Sequence, residues 1–555
     1  MKKVLLAGLF LSVLSGFAQL GATEEGLMAD LVLYNGKIFT VDAGQPWARA
    51  VAIRDGKFVA VGSDLEVKKL IGKNTEVVDL KGRLALPGFN DAHVHFANGG
   101  LYLLGIDLRP ARDEKQFVSI LKEYIKKLPK GEWVTGGNWD HENWPSKKHP
   151  HKSLIDTVTP EHPVLLQRLD GHMSLANSLA MKLAGITRDT PNPQGGEIIK
   201  DKRTGEPTGI LRDTASALVD AVIPPLSRQK RELAIRTAMR HARELGVTSV
   251  QDNSSSEDLE IYQDLLKQGE LAVRVNAWRG ADGWADFSRL GIQASFGGPF
   301  LRLGTVKLFV DGSMGAGTAL FFEPYADDPS TCGLPIHSQF ELNDLVRNAD
   351  RVGLQIAAHA IGDKANAWIL EAFALARKEN GVREARHRIE HAQVVQGRDI
   401  ARFKELGVIA SIQPSHCIDD MRWAEKRIGA RVADAYRFAS FLDSGVRLAF
   451  GTDWDVEPLD PRLGLYAAVS RELPGGGPAR GWHPAEKLSL AQAIEMYTLG
   501  SAYAEFQEKV KGSITPGKFA DLVVMEKDLF EISKKEILIT PVAMTILAGK
   551  IVFKK

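Results

Sequence analysis

Cysteine is nearly absent from this chain: Cys332 and Cys417 are the only two in 555 residues, and they lie far apart. A disulfide framework is therefore not what holds it together, although sequence alone does not say whether these two pair. An excess of charge is missing as well. The 70 basic and 69 acidic residues balance, which leaves no electrostatic footprint for nucleic acid. No apolar run is comfortably long enough to cross a membrane. The nearest, residues 4–14, follows Lys2-Lys3 and has the basic start and short apolar core of a secretory signal. Small residues at Gly16, Ala18 and Ala22 place cleavage near Ala18 or Ala22, so residues 1–22 are set aside and export, to the periplasm, is expected. No cysteine follows that core to carry a lipoprotein anchor. The glycine fingerprint of a dinucleotide-binding first turn is also lacking.

What remains is an ordinary globular composition, 44% hydrophobic and 25% charged, in a chain long enough for one large domain with insertions or for several. From Ala29 to Leu86 short apolar runs alternate with turn signals, among them Asn35-Gly36 and Asp55-Gly56, which are strong hairpin signals. The same texture returns at Gly517 to Met525 and Ala543 to Phe553. The expectation is one β-sandwich assembled from residues 23–87 and 510–555, with residues 88–509 inserted between them. That middle part alternates strand-like and helix-like segments, the pattern of a parallel α/β fold. Strands are expected to end near His95, Asp252, Trp278, Gly312, His359, His391, Gln413 and Trp454. Eight such strands make a (β/α)8 TIM barrel, with a doubly wound open sheet as the alternative. The stretch from His95 to Gly246 is far longer than the roughly 30 residues of a βα unit, so a large insertion, about 100–245, follows strand 1. It holds Trp133, Trp139 and Trp144, which suit either a pocket wall or the insertion's own core.

Barrel active sites are built at the C-terminal strand ends. Taken in order, those ends carry His93 and His95, Lys307, His359, His391 and Asp453. Residues i and i+2 of a strand share a face, so His93 and His95 project together, and neutral imidazole is a common metal ligand. A lone HxH could be a polar loop; six ionisable residues at successive strand ends argue for a metal site.

The runs that carry these residues resemble metal-dependent hydrolases of the amidohydrolase superfamily, in the amidohydrolase 3 branch that includes N-substituted formamide deformylases. They are Leu86-Pro-Gly-Phe-Asn-Asp-Ala-His-Val-His95, Val164 to His172 with Asn177-Ser178, Gly246 to Asp252, Lys307 to Ser313, His359-Ala-Ile-Gly-Asp363, His387-Arg-Ile-Glu-His391, Gln413-Pro-Ser-His416 and Gly451-Thr-Asp-Trp454. The resemblance implies that His93 and His95 bind the more buried metal with Asp453, and that His359 and His391 bind a second. Lys307 matches a position that can carry a carboxylated lysine bridging two metals; the alternative is an unmodified lysine paired with a carboxylate beside a single ion. Asp453 is the implied general base and proton shuttle, and His416 the residue that polarises or holds the scissile group. Arg168, Asp170 and His172 form a polar cluster in the insertion, Asp170 and His172 being either substrate contacts or a salt bridge. Trp139 and Asp140 are expected at the substrate, and Asp311 is expected to orient the loop after Lys307. Two departures stand out: Gly317 where relatives commonly have Arg, and Asp213 where they have Glu.

The function these residues suggest is hydrolysis of a non-peptide carbon–nitrogen bond, in an amide, formamide or cyclic amide, by water activated at one or two divalent metals, zinc foremost. Esterase or deaminase chemistry on the same barrel, or an inactive binding protein, are the alternatives. A small-molecule substrate is expected, with a homodimer possible and neither nucleic acid nor a membrane as partner.

Overall fold

Eight parallel strands form the centre of the molecule, as seen in a computed structural model that describes residues 28–555. They are β1 (Phe89–Val94), β2 (Val247–Asn253), β3 (Arg274–Gly280), β4 (Leu301–Phe309), β5 (Gln355–Ala360), β6 (Arg388–His391), β7 (Ile409–Ile412) and β8 (Leu448–Phe450). Each hydrogen-bonds to the next in chain order from β1 to β8. The seam between β8 and β1 is closed just beyond the last strand, where the Asp453 amide donates to the His93 carbonyl (2.7 Å) and the His95 amide to the Trp454 carbonyl (2.5 Å). The fold is thus the expected TIM barrel. The expected secretory leader lies outside the described residues.

The seam explains why β8 ends earlier than its sequence suggests. Asp91 accepts from the Thr452 amide (2.9 Å) and hydroxyl (2.6 Å), drawing the Gly451-Thr-Asp-Trp run across the mouth of the barrel. Gly451 is required there, because a Cβ would come 2.6 Å from the His93 amide nitrogen. Asp453 then takes φ 58° and leaves the ladder.

Between the helix Phe96–Leu104 and β2 the insertion builds a six-stranded sheet of its own, from Ile106–Asp107, Val134–Trp139, Val164–Arg168, Met173–Ala176, Gly196–Lys200 and Pro207–Asp213. Its apolar core includes Phe117, Leu121, Trp139, Trp144, Leu166 and Ile210. Trp133 packs beside a second small cluster. The tryptophans are therefore core residues of the insertion.

Strands from both chain ends share another six-stranded sheet, in which Leu84–Pro87 pairs with Leu522–Met525. A four-stranded sheet of Lys57–Gly62, Ala50–Arg54, Leu31–Tyr34 and Glu76–Asp79 is joined to it by a common apolar cluster containing Ile38, Ile53, Leu522 and Ile546. Asp55-Gly56 makes the hairpin its sequence suggests. Asn35-Gly36 does not: the strands either side of it lie in different sheets, and the turn carries the chain across. The Arg274 guanidinium at the start of β3 is paired with Asp521 (2.6 and 2.9 Å), tying this part to the barrel. Cys332 and Cys417 are both free. Among the described residues no helix is long and apolar enough to cross a membrane.

Candidate metal centre

A cavity of about 220 Å³ opens at the C-terminal ends of the barrel strands. His93, His95, Lys307, His359, His391, His416 and Asp453 all line it. Strand alternation explains most of this set: Lys307 and Phe309 on β4 share the inward face, as His93 and His95 do. β6 breaks the rule. His387 and His391 sit four residues apart and by alternation share a face, yet His387 is stacked on Phe373 and bonded to Asp350 (3.0 Å) outside the barrel. A φ of 72° at His391 turns its side chain into the cavity instead. Backbone in this region costs of order 1–3 kcal/mol at a non-glycine residue and persists only where the surroundings enforce it.

Asp453 is the hub. Its carboxylate lies 3.5 Å from His93 Nε2, 3.3 Å from His95 Nε2 and 3.9 Å from His391 Nε2. Burial works to raise its pKa, but the three imidazoles hold it well below the usual carboxylate range. The histidines shift the other way: burial, then Lys307, brings His93 down to about 4, while burial and neighbouring groups hold His359 and His391 well below 6.5. Neutral imidazoles around an ionised carboxylate are the protonation states a divalent cation requires.

Among the described residues two triplets have ligand atoms close enough together to hold an ion, namely His93, His95 and Asp453, and His391, His416 and Asp453. The fit is supported by what these groups lack. Among the described residues His391 Nδ1 and His416 Nε2 are buried with no hydrogen bond, an expensive condition unless a ligand supplies the missing interaction. His416, expected to hold the scissile group, thus stands within ligating reach of His391. His359 lies outside both triplets; its Nε2 is 3.1 Å from the Gly312 carbonyl, and its ring centre is 4.4 Å from that of His391. Lys307 Nζ lies 2.9 Å from His93 Nε2, and burial brings its pKa down to about 8.

Support behind these ligands comes from residues that the strand-end pattern does not single out. Glu390 Oε2 is 3.1 Å from His93 Nδ1, which leaves Nε2 turned toward Asp453. Glu390 is in turn paired with Arg388 inside the barrel (2.5 Å), both fully buried. A carboxylate behind a ligating histidine fixes its tautomer and raises its basicity. The signal for this pair lies in His387-Arg-Ile-Glu-His391, where alternation puts Arg388 and Glu390 on the face opposite His387. Asp311 accepts from the amides of Leu320, Ile361 and Gly362 (2.8 to 3.0 Å), so it clamps the loops after β4 and β5 together.

The insertion contributes Gln167 to His172 to the cavity wall. Arg168 donates through Nη2 to Asp140 (2.9 Å) and Nη1 to Asp170 (2.6 Å), with Nε toward His141 (3.4 Å). Asp170 also accepts from Ser313, and His172 Nδ1 is 2.7 Å from Asp213. Asp170 and His172 are therefore not paired with each other by their side chains. Asp140 and Trp139, expected at the substrate, do not line the cavity: Asp140 holds Arg168, and Trp139 is fully buried with its indole donating to the Leu166 carbonyl (2.7 Å). At Gly317 φ is 75° and a Cβ would meet nothing within 4 Å, so the departure leaves open space.

Similarity to known proteins agrees with this geometry. The amidohydrolase family model matches residues 76–553. Protein LONG AFTER FAR-RED 3 of Arabidopsis thaliana is 37% identical over 541 residues, covering 95% of this chain and 92% of that protein. The N-substituted formamide deformylase of Arthrobacter pascens is 27% identical over 547 residues, covering 95% and 99%. An uncharacterized metal-dependent hydrolase from Pyrococcus horikoshii OT3, 30% identical, superposes with a TM-score of 0.74 over 91% of this chain and 99% of that one. With its barrel, its histidine and aspartate centre and a family match over most of its length, the chain belongs to the amidohydrolase family of metal-dependent hydrolases.

Proposed function

We propose that this enzyme hydrolyses a non-peptide carbon–nitrogen bond of a small amide, formamide or cyclic amide, with zinc as the resident metal. The observation that carries the reading is the convergence of His93, His95, His391, His416 and the Asp453 carboxylate on one cavity, with ligand atoms close enough together to hold an ion. A nitrogen and oxygen donor set with open positions suits a catalytic zinc ion. When bound, such an ion acidifies water and polarises a carbonyl.

The chain's own residues do the rest. His93, His95 and Asp453 would hold one ion, and His391 and His416, with Asp453, would hold a second. Asp453, ionised and central, accepts the proton of the attacking water and returns it to the leaving nitrogen, so that an amine departs neutral. Glu390 keeps His93 in the tautomer that presents Nε2. Lys307, its amine partly deprotonated near neutral pH, could form a carbamate: Nζ would bond to the carbon of carbon dioxide and lose a proton, and the carboxylate oxygens so gained would offer anionic donors to a metal ion. The name of the Arthrobacter relative, an N-substituted formamide deformylase, supports an acyl–nitrogen bond as the target.

Metal content per chain on protein purified without chelator, for wild type and Lys307→Ala, tests the reading together with turnover on an amide and formamide panel. About two equivalents, falling on substitution, with chelator-sensitive and zinc-restored turnover, is the expected result. About one equivalent unchanged by the substitution overturns the carbamate bridge, and turnover that survives complete metal removal overturns the mechanism.

A further inference from the structure

The cavity has another wall that the metal-ligating side does not use. Asp419 and Asp420, at the end of the helix Pro414–Asp420, line it with Trp423, Asp455 and Glu457. Asp420 accepts from Gln393 (2.8 Å) and Tyr436, and Asp419 from Arg422. The other two are poorly compensated. Among the described residues the Asp455 carboxylate makes no hydrogen bond to another residue, and Glu457, 7% exposed, has only Arg109 at 3.7 Å as an ionic partner. Arg109 directs its close hydrogen bonds elsewhere, to the carbonyls of Asp455 (3.0 Å) and Val456 (2.6 Å). Four carboxylates thus line the cavity, with the Arg109, Arg168 and Arg422 guanidinium groups and the His95 imidazole as their positively charged neighbours. Burial, then repulsion from Asp419, pushes the Glu457 carboxyl up to about 8 against the opposing pull of Arg109.

Two further observations narrow what could fill the gap. Trp423, 8% exposed, has an indole Nε1 with no acceptor. Among the described residues, neither triplet with metal-ligating geometry includes any residue of this wall, so a bare metal ion is not indicated. Arg168, which the insertion presents to the cavity, directs its donors to Asp140, Asp170 and His141 rather than to this wall.

We propose that this wall receives an organic ammonium group, so that the substrate of the hydrolase is a cationic amide rather than a neutral or anionic one. Carboxylates in a partly desolvated wall attract a cation far more strongly than they would in water. An indole ring adds to the attraction for an ammonium, and its unpaired N–H calls for a carbonyl or hydroxyl acceptor on the same ligand. The word substrate rests on the hydrolytic reading above; the binding of the cation does not.

The test is calorimetric titration of the full-length, metal-loaded protein with choline and with its uncharged isostere 3,3-dimethylbutan-1-ol. The quaternary nitrogen cannot ligate a metal, and both probes carry the same hydroxyl. Choline is expected to bind at least about tenfold more tightly, with the preference shrinking at high salt and falling to within about twofold in the Asp419→Asn/Glu457→Gln double variant. Equal affinities, no measurable choline binding, or a preference that survives the double substitution overturns the proposal. The wild-type comparison needs no variant, so a variant that fails to fold leaves it decisive. Absence of turnover on every amide with the choline preference intact counts against the hydrolytic reading alone. Turnover of neutral formamides without that preference counts against the cationic wall alone.

Discussion

At the barrel end of the cavity, beside the Asp453 carboxylate, His391 Nδ1 and His416 Nε2 are buried without hydrogen bonds among the described residues, whereas across from them Arg168 of the insertion bonds His141, Asp170 and Asp140. Both regions bury charge, and backbone strain marks only the first of these groups, at His391 (φ 72°) and Asp453 (φ 58°). A buried polar atom left unpaired costs about 1–3 kcal/mol, so its persistence points to a ligand that completes it. A buried network that closes on itself is scaffold. The difference separates residues left open to a ligand from residues that hold the wall in place.

The largest effect is expected where a candidate metal ligand is also the proton carrier. Asp453→Asn keeps the shape but removes the acceptor, and kcat on the best amide of a substrate panel should fall about a thousandfold or more; activity within tenfold of wild type would make Asp453 a ligand only. Arg168→Met attacks the closed network. It leaves Asp140 and Asp170 buried without their partner, and urea unfolding should show a loss of about 3–5 kcal/mol with metal content per chain unchanged. Loss of metal in parallel with stability would mean that the two regions are not separable.

The smallest effect is a difference in sign with pH, measured as urea midpoints of the metal-free protein. His93 is brought down to about 4 by burial and Lys307, so the unfolded chain takes up its proton near 6.5 while the native state resists. Stability should therefore fall as pH drops from about 6.5 to about 4. His172 runs the other way: burial opposes it, but its bond to Asp213 raises its pKa above 6.5. Its contribution is complete below 6.5 and is lost as pH rises through the elevated value. His172→Gln should thus abolish the gain in stability that the wild type shows as pH falls toward 6.5 and leave the loss below 6.5 unchanged; a gain that persists in the variant would contradict the Asp213 pairing.

Much of the barrel and its metal centre is legible in the amino-acid sequence, for a local reason. A hydrophobic strand followed by an ionisable residue is a short-range pattern, and in a barrel all such ends meet at one face. Trp139 and Asp140 escape correct placement because aromatics near a catalytic face look alike whether they point into a pocket or into a small core. Glu390 is hard to recognise because the alternation that reveals it competes with the more conspicuous His391 beside it.

Periodicity and spacing along the chain carry the eight strands, the order of the strand-end histidines, Lys307 and Asp453, and the presence of a large insertion after the first strand. Only the tertiary structure decided that His391 turns inward, that His416 joins it, that Glu390 backs His93, and that Asp419, Asp455 and Glu457 make an acidic wall with Trp423. Those arrangements depend on positive φ angles at His391 and Asp453 and on segments hundreds of residues apart being brought together at the barrel mouth. No local pattern encodes them.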